Sequence, residues 1–214
     1  MKESVNKEKK LFTFKLLFSI IIVSTWWVIH GLNTLFNLHL QQYGLKPRML
    51  EQWFGIFTYP FLHGSWEHLV SNSLPGVILL TGLFIFHAKN SFKFLSILYL
   101  VSGIVLWFIG RENTNHIGAS GVVYALAFFL LTAGFIARER SSIALSFFII
   151  LWYGGMLWGI FPFSVEQGTS WEGHLAGAIT GFLLAFITTK RPIKEEKEQL
   201  IETHEHFYET HKID

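Results

Sequence analysis

The sequence contains no cysteine. That excludes a disulfide framework and any thiolate ligand or nucleophile, so a covalent catalyst in this chain would be a hydroxyl, a carboxylate or an amine. Charge is scarce too. Asp, Glu, Lys and Arg make up 15% of the 214 residues, against roughly 25% in a typical soluble domain. What fills the space is apolar: 51% of the chain is hydrophobic, with 22 Phe and 8 Trp. Such a balance suits a chain whose solvent is lipid, with aromatic rings on lipid-facing surfaces and at the headgroup level.

A helix needs about 20 mainly apolar residues to cross a hydrocarbon core. Six segments meet that requirement, at about 16–36, 66–87, 92–110, 118–137, 142–163 and 171–189. The first apolar stretch, from about Leu11 to Phe36, is longer than a signal-peptide core and lacks a small-x-small cleavage site, so it reads as a retained span. The expected fold is therefore an all-α membrane protein with six transmembrane helices. The expected domain division is a cytoplasmic segment 1–15, a six-span domain 16–189 and a charged tail 190–214.

Alternation of sides puts Lys46, Arg48 and Arg111 on one face of the membrane and the other 14 of the 17 basic residues on the opposite face. The positive-inside rule then places both termini in the cytoplasm. Short connections at 88–91, 111–117 and 138–141 predict antiparallel packing of neighbouring spans. The external segment from Asn37 to about Phe61 mixes Trp, Phe, Met and Leu with Gln, Lys and Arg, the composition of an interfacial element. The one from Phe161 to Ser170 carries Pro162, Gly168 and Ser170 and reads as a mobile loop.

Polar groups at membrane depth are costly and ask for a partner or a function. Three clusters lie toward the external side. His63-Gly-Ser-Trp-Glu-His68 leads into the second span, and Asn72 follows His68 by four residues, on the same helical face. Gly118-Ala119-Ser120-Gly121 opens the fourth span, with Tyr124 one turn after Ser120. At a helix start, unpaired N–H groups and the positive dipole end favour a developing anion. In the last span, Gly173, Gly177 and Gly181 recur every fourth residue beside His174. Such a stripe admits another helix to near backbone contact. If that helix is the fourth span, His174 is delivered against Ser120.

Each cluster alone has a plainer reading as helix packing or an interhelical hydrogen bond. Together they supply a nucleophile, a base and a donor pair, the parts needed for acyl transfer. Glu67 invites a zinc reading, yet no His-Glu-x-x-His occurs and His63 and His68 are five apart, so no metal is expected. His30 and His87 read as span-end residues and His116 as a loop residue. A transporter or channel is the rival reading, since the same side chains line polar pathways, although no convincing internal repeat is present.

These residues resemble the rhomboid family of intramembrane serine proteases, over all six segments from about 16 to 189. The family pattern of His, four residues, His, three residues, Asn is met by His63, His68 and Asn72. Its Gly-x-Ser-Gly is met by Gly118, Ala119, Ser120 and Gly121, and its last-span His-x-x-Gly by His174 and Gly177. Gly173 stands where many members have Ala. The first external loop lacks the Trp-Arg pair of several bacterial members, so none of its contacts carries over.

The resemblance implies a rhomboid-like bundle, a Ser120–His174 dyad without a third acid, and Tyr124 stacked on the catalytic imidazole. It also implies an anion site made by His68, Asn72 and the Ser120 N–H. His63 would brace the first loop, and Gly118, Gly121, Gly173 and Gly177 would support the site. The implied substrates are transmembrane proteins with a helix able to unwind near its external end, cut in a bacterial plasma membrane. No cofactor and no nucleic-acid partner is expected.

Overall fold

A computed structural model describes residues 2–163 and 169–190. Expectations for the tail beyond 190, and for 164–168 within the loop before the last apolar segment, lie outside the described residues. Among those described there are seven α-helices and no strand: α1 Lys2–Phe36, α2 Gly55–Thr58, α3 Trp66–Phe86, α4 Ser91–Ile109, α5 Ser120–Ala137, α6 Arg140–Leu157 and α7 Trp171–Thr188. Every predicted apolar segment overlaps one long helix, although α1 begins well before residue 16 and the segment 142–163 runs past the end of α6 into a 3-10 turn at Trp158–Ile160. Four of them, spanning Val5–Phe36, Trp66–Phe86, Ser91–Ile109 and Ser120–Ala137, are long and apolar enough to cross a membrane. The other two, α6 and α7, have 18 residues each. The first turn of α7 is diluted by Glu172, Gly173 and His174.

Caps start the helices that matter for the site. The Ser65 hydroxyl accepts the His68 N–H at 3.2 Å ahead of α3, with Glu67 in the first turn. Ser170 does the same for α7, accepting the Gly173 N–H at 3.1 Å, with Glu172 beside it. Each satisfies one donor that a helix start leaves unpaired, and each adds an anionic group where the dipole favours it.

At the centre of the bundle is α5, buried without interruption from Gly121 to Ala127. In lipid, helices associate through close packing rather than hydrophobic exclusion, and small residues make that packing possible here. A Cβ at Gly177 would lie 2.0 Å from the Gly121 carbonyl oxygen, and one at Gly181 would lie 2.1 Å from that of Ala125. These distances bring α7 against α5 at backbone range. On the opposite flank, α6 meets α5 through Ser146, whose hydroxyl donates to the Leu131 carbonyl at 3.0 Å. The outlying α1 packs on α3, with Trp26 against Gly76.

The segment from 37 to 61 folds into short 3-10 turns and the single-turn α2. Met49, Leu50, Trp53 and Phe57 stay exposed, as an element lying in a membrane interface requires. The segment is anchored at several points. Leu45 and His116 exchange both backbone hydrogen bonds, at 2.9 and 2.8 Å. Arg48 donates to the carbonyls of Phe108 and Gly110 at 2.8 and 2.9 Å, placing a cation on the unpaired carbonyl end of α4. Thr58 and Tyr99 donate to the Tyr43 and Phe57 carbonyls.

Candidate active site

Ser120 is the first residue of α5 and is half-buried. The chain reaches it through Gly118, whose φ of +116° lies where side chains other than hydrogen are strained. A Cβ there would also lie 2.4 Å from His68 Cε1 and 2.6 Å from its Nε2. The imidazole of His68 thus rests against the bare Cα of Gly118, two residues before Ser120. The Gly118 N–H donates to the Tyr59 carbonyl at 2.9 Å, which fixes the turn.

One helical turn after Ser120, the Tyr124 ring stacks on the His174 ring with centroids 4.1 Å apart and planes within 5°. His174 is buried, at 7% exposure. Its Nδ1 lies 2.9 Å from the Gly159 carbonyl oxygen. A carbonyl only accepts, so Nδ1 carries the proton and Nε2 holds the lone pair in the neutral ring. Stacking and this bond restrain both the plane and the tautomer of the imidazole. Gly159 itself has no room for a side chain, since a Cβ would lie 2.0 Å from the Tyr124 hydroxyl.

Gly121 lies against the Gly173 carbonyl where α5 and α7 start, a Cβ on Gly121 falling 3.2 Å from that oxygen. Ser120 and His174, each next to one of these glycines, are thereby brought to the same end of the α5–α7 seam. Among the described residues no hydrogen bond joins the Ser120 hydroxyl to His174. Such bonds tighten when substrate binds. Asn72 is buried, and its amide donates to the His68 carbonyl at 2.7 Å, leaving one N–H of that amide for a ligand.

His63 is 1% exposed and forms an edge-to-face contact with His68 at 5.2 Å. Burial first, and the neighbouring His68 second, push its pKa down to about 3. Unfolded, the same group titrates near 6.5. Between those values the unfolded chain binds the proton and the folded one does not. Stability is therefore intact above about pH 6.5 and declines as pH falls toward 3, by up to about 1.4 kcal/mol per pH unit from this group. Melting temperatures in detergent between pH 7 and pH 4 test this: wild type falls more steeply than His63→Phe. Parallel curves would contradict a buried neutral imidazole.

His30, expected at a span end, is buried instead and sits edge-on to Trp66 at 4.5 Å. Three further features escaped the sequence reading: the Gly159 carbonyl, the burial of His116, and the ion pair of Arg111 with the buried Glu172. A backbone acceptor leaves no trace in side-chain identity, and the others join residues far apart in the chain. Only the proximity of His116 to Gly118 and of Glu172 to His174 hinted at them.

Residues 50–191 match the family model described as Rhomboid domain. An uncharacterized protein of Mycobacterium tuberculosis is 30% identical over 176 residues, covering 77% of this chain and 71% of that one. An uncharacterized protein of Mycobacterium leprae is 31% identical over 170 residues, with 75% and 66% covered. Rhomboid-related protein 1 of Caenorhabditis elegans is 25% identical over 161 residues, covering 72% of this chain and 45% of its own length. The match takes in α3 through α7, including the seam where α5 and α7 meet, and with more than half of its length inside it this chain belongs to the rhomboid family.

Proposed function

We propose that this protein is an intramembrane serine endopeptidase of the bacterial type, with α1, α3, α4, α5, α6 and α7 as six spans and both termini in the cytoplasm. The observation that carries this reading is the His174 imidazole, stacked on Tyr124 and held by Gly159 with Nε2 as its basic nitrogen. Nothing in a packing role requires a histidine to be fixed in both plane and tautomer.

In this mechanism Nε2 takes the Ser120 proton as the oxygen attacks a scissile carbonyl. The oxyanion is met by the Ser120 N–H at the start of α5, by His68 and by the free N–H of Asn72. The imidazolium then protonates the leaving amine, and water, activated by the same nitrogen, hydrolyses the acyl-enzyme. Gly118, Gly121, Gly173 and Gly177 act by admitting neighbouring groups closely, and His63 supports His68. The substrate is a transmembrane protein whose helix unwinds near its external end, because only extended backbone exposes a carbonyl to Ser120.

A fluorophosphonate probe on the purified protein in detergent tests the reading. Wild type is labelled, whereas Ser120→Ala and His174→Ala are not. Equal labelling of all three would leave a channel or a non-catalytic binder of membrane segments as the better description.

A further inference from the structure

The loop between α4 and α5 is tied to the start of α7 by a run of hydrogen bonds whose direction can be read atom by atom. Thr114 Oγ1 lies 2.6 Å from the Arg111 carbonyl oxygen. A carbonyl only accepts, so the single hydroxyl proton of Thr114 is spent there. His116 Nε2, 2.8 Å from the same Thr114 oxygen, must therefore donate to it. A neutral His116 with its proton on Nε2 has a lone pair on Nδ1, and Ser170 Oγ lies 2.6 Å away. Ser170 donates to that lone pair while accepting the Gly173 N–H at 3.1 Å.

The sequence is thus Gly173 N–H to Ser170, Ser170 O–H to His116 Nδ1, His116 Nε2–H to Thr114, and Thr114 O–H to the Arg111 carbonyl. Both ends are backbone groups that cannot reverse, so the whole run has one polarity. His116 is 3% exposed, and burial holds it below its ordinary pKa, which agrees with a neutral ring. The Arg111 side chain returns to Glu172, the residue before Gly173, and closes the circuit between the same two elements.

The circuit begins one residue from His174, at Gly173, and passes through His116, two residues from Gly118. We infer that His116 is a positioning residue, which, as a neutral Nε2–H imidazole bonded to both Ser170 and Thr114, sets how the α5 and α7 starts face each other. The inference rests on the serine-protease reading for its effect on rate, but its hydrogen-bond polarity does not.

Two measurements test it. Nitrogen NMR of protein carrying ¹⁵N-histidine should find His116 protonated on Nε2 and bare on Nδ1, opposite to His174. Finding the proton on Nδ1 would overturn the polarity whatever the protein does. The second is the rate of probe labelling at saturating probe. His116→Phe and Ser170→Ala are each expected to fall about 10- to 100-fold, the scale for ångström misplacement of reacting groups. The double variant should be no worse than either single one, and Ser170→Thr, which keeps the hydroxyl, should label near the wild-type rate. Additive losses, or rates that follow melting temperature alone, would overturn positioning. If wild type itself is not labelled, the protease reading fails, while the NMR result still judges the circuit.

Discussion

Ser120→Ala lowers proteolytic turnover by about 10⁴-fold or more, and adding His174→Ala to it costs nothing further. In the proposed dyad the two groups act on one proton in one step, so removing either would remove the whole nucleophilic pathway. Some rate above water survives, because an anion site still polarises a carbonyl, and that site is built from groups that both variants keep. Steady-state cleavage of a transmembrane reporter in proteoliposomes reads this. The single and double variants should agree within a few-fold. Losses that multiply would mean that the serine and histidine work in separate steps.

Gly177→Val should be nearly as damaging without touching a reacting atom. The Cβ position at residue 177 lies 2.0 Å from the Gly121 carbonyl oxygen and 3.0 Å from the Ala125 nitrogen. Those are backbone atoms of a buried helix and cannot swing aside. Even Gly177→Ala must push α7 off α5, and valine adds two more carbons. A shift of about an ångström between Ser120 and His174 is expected to cost on the order of 100-fold in rate, with about 1–3 kcal/mol lost to overpacking. Graded loss from glycine through alanine to valine is the expected pattern in labelling rate and melting temperature. Gly155→Val is the control, because nothing lies within 4 Å of a Cβ there, and it should label as wild type does. A fully active Gly177→Val would mean that the seam is looser than its backbone distances require.

The six long helices were legible because each is a near-continuous apolar run, which neither strand pairing nor a loop tolerates in that number. Boundaries fell within a few residues of α3, α4, α5 and α7, while α1 begins well before its apolar stretch, on residues whose charges the sequence assigns to water. Within the stripe, Gly177 and Gly181 meet α5 at backbone range as the spacing predicts, whereas a Cβ on Gly173 would meet Ser170 Oγ at 2.8 Å; the four-residue spacing placed Tyr124 one turn after Ser120. What escaped was contact between distant residues. Arg48 on the end of α4 and His116 between Ser170 and Thr114 depend on how loops cross, and loop residues carry no periodicity from which a partner can be deduced; His30 against Trp66 depends on how α1 and α3 pack, which the period of either helix does not fix.

The hold on His174 has a further consequence. Its orienting partner is a peptide carbonyl, which carries no formal charge and survives every side-chain replacement. An alanine scan of this protein would not register that partner. The Tyr124 stack can be removed by a substitution, but the Nδ1 contact yields only to a change in the path of the main chain after α6, so the tautomer of the ring is governed by a turn rather than by a residue type. Under the proposed mechanism, the positive charge on the ring would meet the Gly159 carbonyl dipole at Nδ1, with the buried Glu172, already paired with Arg111, two residues away. In that mechanism, acceleration would draw on how well Ser120 and the oxyanion donors are placed beforehand.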